Sequence, residues 1–285
     1  MKKILVIGIG AGDPDYMTMQ AIRALNEADV FFVLDKGSDK EDLAALRREI
    51  CDRFVDGGQY RMVHAADPPR VLRDGSYEDD VKAWHGQRLD IYEGLIRDEL
   101  ADGQAGAFLV WGDPSLYDST LRILNQVADR ADDRADVRAD VRAAEGAYEQ
   151  AADGADRAIE ETARPFVVEV IPGISSVQVL AARFGIALHG IGAPVSIFTG
   201  RLLAKGWPEG AEDVVVMLDG NCSFTEVDPT GLDIYWGAYL GTPDEILISG
   251  DLAERSAEIQ QIRAAARKRK GWMFDTYLLR RRPGS

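Results

Sequence analysis

Cysteine is nearly absent from this chain, with Cys51 and Cys222 the two examples among 285 residues. They stand far apart in sequence, and neither has a histidine or a second cysteine nearby at ligand spacing. That argues against a disulfide framework and against a cysteine-type zinc site, so no metal is expected. Two half-buried thiols in a reducing compartment is the plainer reading. No apolar run approaches the roughly 20 residues of a membrane span. Basic side chains are outnumbered, 33 against 48 acidic, for a formal charge of −15. Nucleic acid and anionic membrane both ask for a basic face, so neither is an expected partner. An anionic small molecule would need a locally basic pocket set against this field.

What is present is the composition of a folded protein, 46% hydrophobic and 28% charged, which excludes global disorder. The length is large for one core. The opening MKKILVIGIGAGDP runs straight into glycines without the long apolar segment of a signal peptide. It reads as a mature N-terminus, and a cytoplasmic location is expected.

The run Ile4 to Gly8 is continuous, apolar and mostly β-branched, as a strand buried on both faces requires. Met19, Ile22 and Leu25 then recur at helical spacing over 18–26. A second apolar strand over 30–34 ends at Asp35-Lys36-Gly37, completing a βαβ unit and placing the chain in the α/β class. Helices are expected over 42–54, 81–100 and 176–184. Strands are expected at 107–111, 166–171, 195–199, 214–218, 234–239 and, more weakly, 245–248. Residues 56–79 read as a long irregular connection. The alternating large residues of 271–279 read as a strand closing a sheet edge.

Residues 128–164 differ from the rest. Their Arg-Ala-Asp repeat has a four-residue period, which would stack like charges along a helix and leave an alanine seam. This predicts a solvated, partly helical insert without chemistry. It divides an N-terminal α/β domain, 1–127, from a C-terminal α/β domain, 165–285, each holding a sheet, with a cleft between them.

Chemistry is suggested by glycine turns at strand ends, where open α/β sheets bind ligands. Gly8-Ile9-Gly10-Ala11-Gly12-Asp13 approximates a dinucleotide fingerprint, and Asp35 could meet a ribose. The sixth position holds Asp13 where glycine is needed, and its carboxylate would repel a phosphate. A nicotinamide-dependent oxidoreductase is therefore the remote alternative. The stronger signal is three such turns in one chain: Gly10-Ala11-Gly12-Asp13-Pro14, Trp111-Gly112-Asp113-Pro114 and Pro172-Gly173-Ile174-Ser175-Ser176.

These turns, with Met217 in a Val-Val-Val-Met-Leu strand and the late Gly241-Thr242-Pro243 turn, resemble the tetrapyrrole methylase family, the class III S-adenosylmethionine-dependent methyltransferases. The resemblance spans nearly the whole chain except 128–164. It implies two α/β domains with S-adenosylmethionine, the methyl donor, in the cleft between them. Ala11, Trp111, Gly112, Asp113, Leu116, Ser175, Ser176, Met217, Gly241 and Thr242 are the implied cofactor residues. Many relatives carry proline where Ala11 stands. Further stretches, including Trp111 to Thr120, Thr199-Gly200-Arg201 and Gly271-Trp272 to Arg281, are similar to a deacylating branch of the family. They imply methylation of a precorrin at ring carbon-1 with loss of its acetyl group as acetate. Another tetrapyrrole, uroporphyrinogen or a different precorrin, is the nearer alternative. Homodimers are common among such enzymes, so a homodimer is expected.

Methyl transfer asks mainly for alignment, whereas loss of the acetyl group needs a base and a polarised carbonyl. Asp35 and Asp118 are the candidate bases, with helix capping the competing role for Asp118. Tyr117 is the candidate to polarise the carbonyl. The substrate's several carboxylates call for forked guanidinium or ammonium donors. Lys36, Arg47, Arg48, Arg201 and the Arg280-Arg281-Arg282 tail are the candidates.

Overall fold

A computed structural model describes residues 1–35, 41–68, 77–131 and 165–282. The first sheet takes β1 (Lys2–Gly8), β2 (Val30–Asp35), β3 (Arg61–Ala66), β4 (Ala105–Val110) and β5 (Phe166–Ile171). Its order is β3-β2-β4-β1-β5, with every pairing parallel. The carboxyl ends of its strands therefore open on one edge. The apolar opening run is explained by the two faces it serves. Ile4 and Val6 enter one core cluster, and Leu5 and Ile7 enter the cluster on the opposite face. Helices α1 (Met19–Glu27) and α2 (Glu41–Phe54) cover one side. Helix α3 (Tyr77–Glu99) and helix α4, over 120–131, cover the other.

The second sheet takes β6 (Val195–Thr199), β7 (Asp213–Met217), β8 (Leu232–Ala238), β9 (Ile246–Asp251) and β10 (Asp275–Arg281). Its order is β6-β7-β10-β8-β9; β6 and β7 are parallel and the remaining pairs antiparallel. Helix α5 (Ser176–Phe184) joins the sheets, and the single turn α6 (Gly200–Leu203) follows β6. Helix α7 (Leu252–Lys270) packs on β8 and β9.

Three expectations are corrected. The strand over 271–279 does not close an edge. Starting at Asp275, it lies in the middle of the second sheet, because Tyr277 and Leu279 fill one core cluster while Leu278 fills another. The stretch 56–79 is not wholly irregular, since β3 forms the exposed edge of the first sheet. The proposed boundary at 164/165 does not separate the sheets. β5 pairs with β1 from Lys2↔Phe166 to Ile7↔Ile171, so the charged stretch interrupts a crossover within the first sheet. Its first residues, 128–131, belong to α4, with Ala128 buried in the core. Residues 132–164 lie outside the described residues, as does Lys36.

Helix α7 has no counterpart in the sequence reading. Its punctuation is present all the same. Asp251 accepts from the Ala253 and Glu254 N–H groups at its start, and left-handed Gly271 ends it. Its apolar face is thin, with Leu252, Ile259 and Ala266 buried, and Arg263 completes that face.

Candidate functional site

Three strand ends meet in backbone contact. After β1, Gly10 and Gly112 form an antiparallel bridge, with the Gly112 N–H donating to Gly10 O at 2.8 Å. The turn after β5 presses against both. A Cβ on Gly8 would stand 2.6 Å from Gly173 N and 2.9 Å from Gly112 O. A Cβ on Gly173 would overlap Gly112 O and reach Gly8 Cα at 2.8 Å. Side chains are excluded here because three backbones share the space. Asp113 fastens the arrangement. Its Oδ2 accepts the Gly173 N–H at 2.9 Å, and its Oδ1 accepts the Ser115 N–H at 2.8 Å and the Ser115 hydroxyl. Partial burial would raise its pKa, but the bonds from Ser115 and Gly173 outweigh that and hold it below the ordinary carboxylate value.

The dinucleotide reading fails at this point. Asp13 does not open a phosphate-binding helix. Its Oδ1 caps a single turn, Pro14–Tyr16, by accepting the Asp15 N–H at 2.9 Å.

Beside these turns lies a cleft of about 910 Å³, bordered by both sheets. Of the residues named from the sequence, Ala11, Trp111, Leu116, Ser176, Met217, Arg47, Tyr117 and Asp118 border it. Gly112 and Asp113 stand behind that surface. Ser175 is buried at the start of α5, where its hydroxyl accepts the Val177 N–H and its own N–H donates to Gln178 Oε1. Gly241 and Thr242 also stand behind it, in a turn that packs against Ala11 and supports Tyr239 and Leu240. Arg48 and Arg201 are exposed and do not border the cleft. Asp35 ends β2 in register with Ala66.

The candidate catalytic groups are partly committed. The Tyr117 hydroxyl donates to Ile197 O at 2.9 Å across to β6, and partial burial raises its pKa. Asp118 Oδ1 accepts the Thr120 N–H at 2.6 Å at the start of α4, so the capping role is real. Its Oδ2 has no partner among the described residues. Arg47 reaches from α2 and donates its Nε–H to Leu109 O at 3.1 Å.

The sequence reading missed much of the opposite wall. Asp219, 4% exposed, accepts from the Ser223 N–H, the Ser223 hydroxyl, the Asn221 N–H and the Tyr277 hydroxyl. Arg263 donates Nη2–H to Asp219 O and Nε–H to Asp275 Oδ2 at 2.8 Å. The Trp236 indole N–H donates to the same Oδ2 at 3.0 Å. Burial raises the Asp275 pKa against the opposing pull of Arg263 and Trp236. An aromatic row, Tyr239, Trp272, Phe274 and Trp111, with successive ring centroids 4.9, 5.2 and 6.0 Å apart, runs from this wall to the first sheet. On the first-sheet side, buried Arg88 pairs with Asp67 at 3.0 Å and lies over the Trp84 and Tyr92 rings. A signal for Arg263 existed in the helix spacing of Ile259, Arg263 and Ala266. For the partners it reaches, up to 44 residues away, local sequence offered none.

This combination, a parallel α/β sheet and a mixed sheet enclosing a cleft beside three glycine turns, defines the class. The family model for tetrapyrrole (corrin/porphyrin) methylases matches residues 3–152 and 151–255. The chain belongs to the tetrapyrrole methylases. It is 46% identical over 281 residues to a precorrin-6A synthase [deacetylating] of Sinorhizobium sp, covering 99% of this chain and 96% of that one. Among solved structures, a cobalamin synthesis related protein (CobF) of Corynebacterium diphtheriae superposes with a TM-score of 0.75 at 36% identity, over 99% of both chains. A uroporphyrin-III C-methyl transferase of Thermus thermophilus complexed with S-adenyl homocysteine shares the fold at a TM-score of 0.52 and 19% identity, over 97% and 91% of the two chains. Among the described residues no helix is long and apolar enough to cross a membrane.

Proposed function

We propose that the chain is an S-adenosylmethionine-dependent C-methyltransferase that converts precorrin-5 to precorrin-6A, releasing acetate and methylating ring carbon-1. The observation that carries this is the full-length 46% identity to a deacetylating precorrin-6A synthase. The cleft fits the methyl donor. A Cβ at Gly112 would meet just Ser175 Cα, at 3.7 Å, so that glycine leaves open space beside the turn. Ala11, Trp111, Leu116 and Met217 supply apolar surface for an adenosine and the methylene chain of a methionine, and the Ser176 hydroxyl supplies a polar group. About 910 Å³ lies near the top of the roughly 300–1,000 Å³ range of small-molecule sites, enough for donor and acceptor side by side.

When bound, the donor supplies an electrophilic methyl group on a sulfonium. The chain's work is alignment and loss of the acetyl group. Water adds to the acetyl carbonyl while a base removes its proton. The bond to ring carbon-1 then breaks, acetate leaves, and the electron pair stays on the ring carbon that takes the methyl group. Asp118, which borders the cleft and has only Oδ1 engaged by the Thr120 N–H, is the base we favour. Tyr117 beside it polarises the acetyl carbonyl by redirecting its hydroxyl from Ile197 O. Asp35, at a neighbouring strand end, is the second candidate for the base.

The test incubates the purified protein with precorrin-5 and S-adenosylmethionine and measures acetate together with product mass. Equal amounts of acetate and methylated product are expected. Methylation without acetate would redirect the protein to another tetrapyrrole. In Asp118→Asn, acetate release should fall on the order of a hundredfold with cofactor affinity unchanged. Unaltered acetate release would move the base role to Asp35.

A further inference from the structure

The substrate proposed above carries several carboxylates, yet the protein's net charge is −15. Positive potential must therefore be local. The cleft is bordered by four arginines, Arg47 and Arg88 from the first-sheet side and Arg263 and Arg267 from α7. Their availability differs. Arg88 is paired with Asp67, and Arg263 with Asp275. Arg47 donates to Leu109 O. Arg267 has no acidic or carbonyl partner for its side chain among the described residues.

The last turn of α7 sorts its charges by face. Arg267, Lys268, Arg269 and Lys270 follow one another there. Arg269 and Lys270 pair with Asp244, at 3.3 and 2.5 Å, and none of the three borders the cleft. Arg267 lies four residues after Arg263, so the two share one helix face. That face borders the cleft. Arg263 is buried and spent on its network, and Arg267 stands exposed one turn further on.

We infer that Arg267 receives a peripheral carboxylate of the tetrapyrrole, with Arg263 and Asp275 fixing the helix that presents it. This rests on the tetrapyrrole reading above. The substrate is favoured over the methyl donor as the source of that carboxylate. The donor's amino-acid end is a zwitterion that brings its own positive charge, whereas the substrate's carboxylates bring none. A charge-assisted contact that is lost on truncation corresponds to roughly tenfold in affinity.

The experiment measures KM for precorrin-5, kcat, and affinity for S-adenosylhomocysteine in Arg267→Ala, Arg267→Lys and Lys268→Ala. Lys268 neighbours Arg267 and carries the same charge, but does not border the cleft. Arg267→Ala should raise KM roughly tenfold, leave kcat and homocysteine-analogue affinity near parental values, and recover partly in Arg267→Lys. Lys268→Ala should change KM less than twofold. An unchanged KM in Arg267→Ala would overturn the inference. So would an equal rise in Lys268→Ala, which would assign the effect to the overall field. A loss confined to S-adenosylhomocysteine would give Arg267 to the cofactor instead. If the parent protein turns over no precorrin-5, the reading of the reaction fails before any variant is compared.

Discussion

The two walls of the cleft are built on different principles. The wall from the first sheet is shaped by backbone. Gly8, Gly112 and Gly173 bring three chain segments within contact of one another, and Asp113 ties two of the turns together. The wall from the second sheet is shaped by side chains. Arg263 bridges Asp219 and Asp275, which in turn hold Tyr277 and Trp236. The backbone wall tolerates no added atom where the segments touch, at Gly8 and Gly173, and its one clasp is the partly exposed carboxylate of Asp113 and not a buried ion pair. A side-chain wall depends on every buried charge keeping its partner, because an orphaned one is costly.

That difference also decides what could be read from sequence. Backbone approach demands glycine at fixed places after strands, so the three turns were visible before any coordinates. The alternation of Ile4, Leu5, Val6 and Ile7 between two cores was visible for a similar reason, since a strand buried on both faces has no polar position. The buried network was not legible. Arg263 lies on a helix whose apolar face is three residues and an arginine, and its partners lie 12 and 44 residues away. The central place of β10 was missed because an isolated strand does not declare its neighbours. Of the arginines named from sequence, Arg47 borders the cleft, whereas Arg48, on the same helix, and Arg201, after a strand end, are exposed outside it.

The backbone wall is broken most severely at Gly173. A Cβ there overlaps Gly112 O and meets Gly8 Cα at 2.8 Å, with backbone on both sides and nothing to rotate away. Gly173→Ala should cost about 4–5 kcal/mol and abolish S-adenosylhomocysteine binding. Gly112→Ala is the contrast. Its φ of 71° carries strain for alanine, about 1 kcal/mol, but its Cβ finds room. It should fold and still bind the analogue poorly. Denaturant melts and calorimetric titration of both variants check this, and equal stability would refute the packing account.

The side-chain wall should yield less, and in a way that can be repaired. Arg263→Met leaves Asp275 buried without its cation, at a cost of about 3 kcal/mol. Adding Asp275→Leu should recover part of that loss, because the orphaned charge goes with it. A double variant less stable than Arg263→Met would show that the network acts through hydrogen bonds and not through charge pairing.

The clasp between two of the turns has a pH signature. Asp113 has a folded pKa below its ordinary value, so the unfolded chain takes up the proton first as pH falls. Its contribution is complete above the ordinary carboxylate value, roughly 3.9, and is lost as pH drops toward the lowered one. In Asp113→Asn that contribution is missing at every pH. The gap in melting temperature between parent and variant should therefore narrow between about pH 5 and about pH 3. A gap that stays constant would mean that Asp113 does not hold the Gly173 turn as a carboxylate.

The smallest effect is expected at Arg201, where sequence and structure rank the same residue differently. From sequence, Arg201 follows a strand end at Thr199-Gly200 and so belongs among the substrate's carboxylate donors. In the structure that strand end turns into α6, and the close fit of Gly200 against Asp219 sets the turn's direction. Arg201 is left exposed outside the cleft border. An exposed cation on a short turn, screened by water and salt, contributes little to a ligand it does not touch. Arg201→Ala should therefore change KM for precorrin-5 less than twofold, against the roughly tenfold expected for Arg267→Ala. Measured side by side at one ionic strength, the two variants separate position from charge. A larger loss at Arg201 than at Arg267 would place the substrate's carboxylates over β6 and α6, and the second wall would have to be redrawn around that turn.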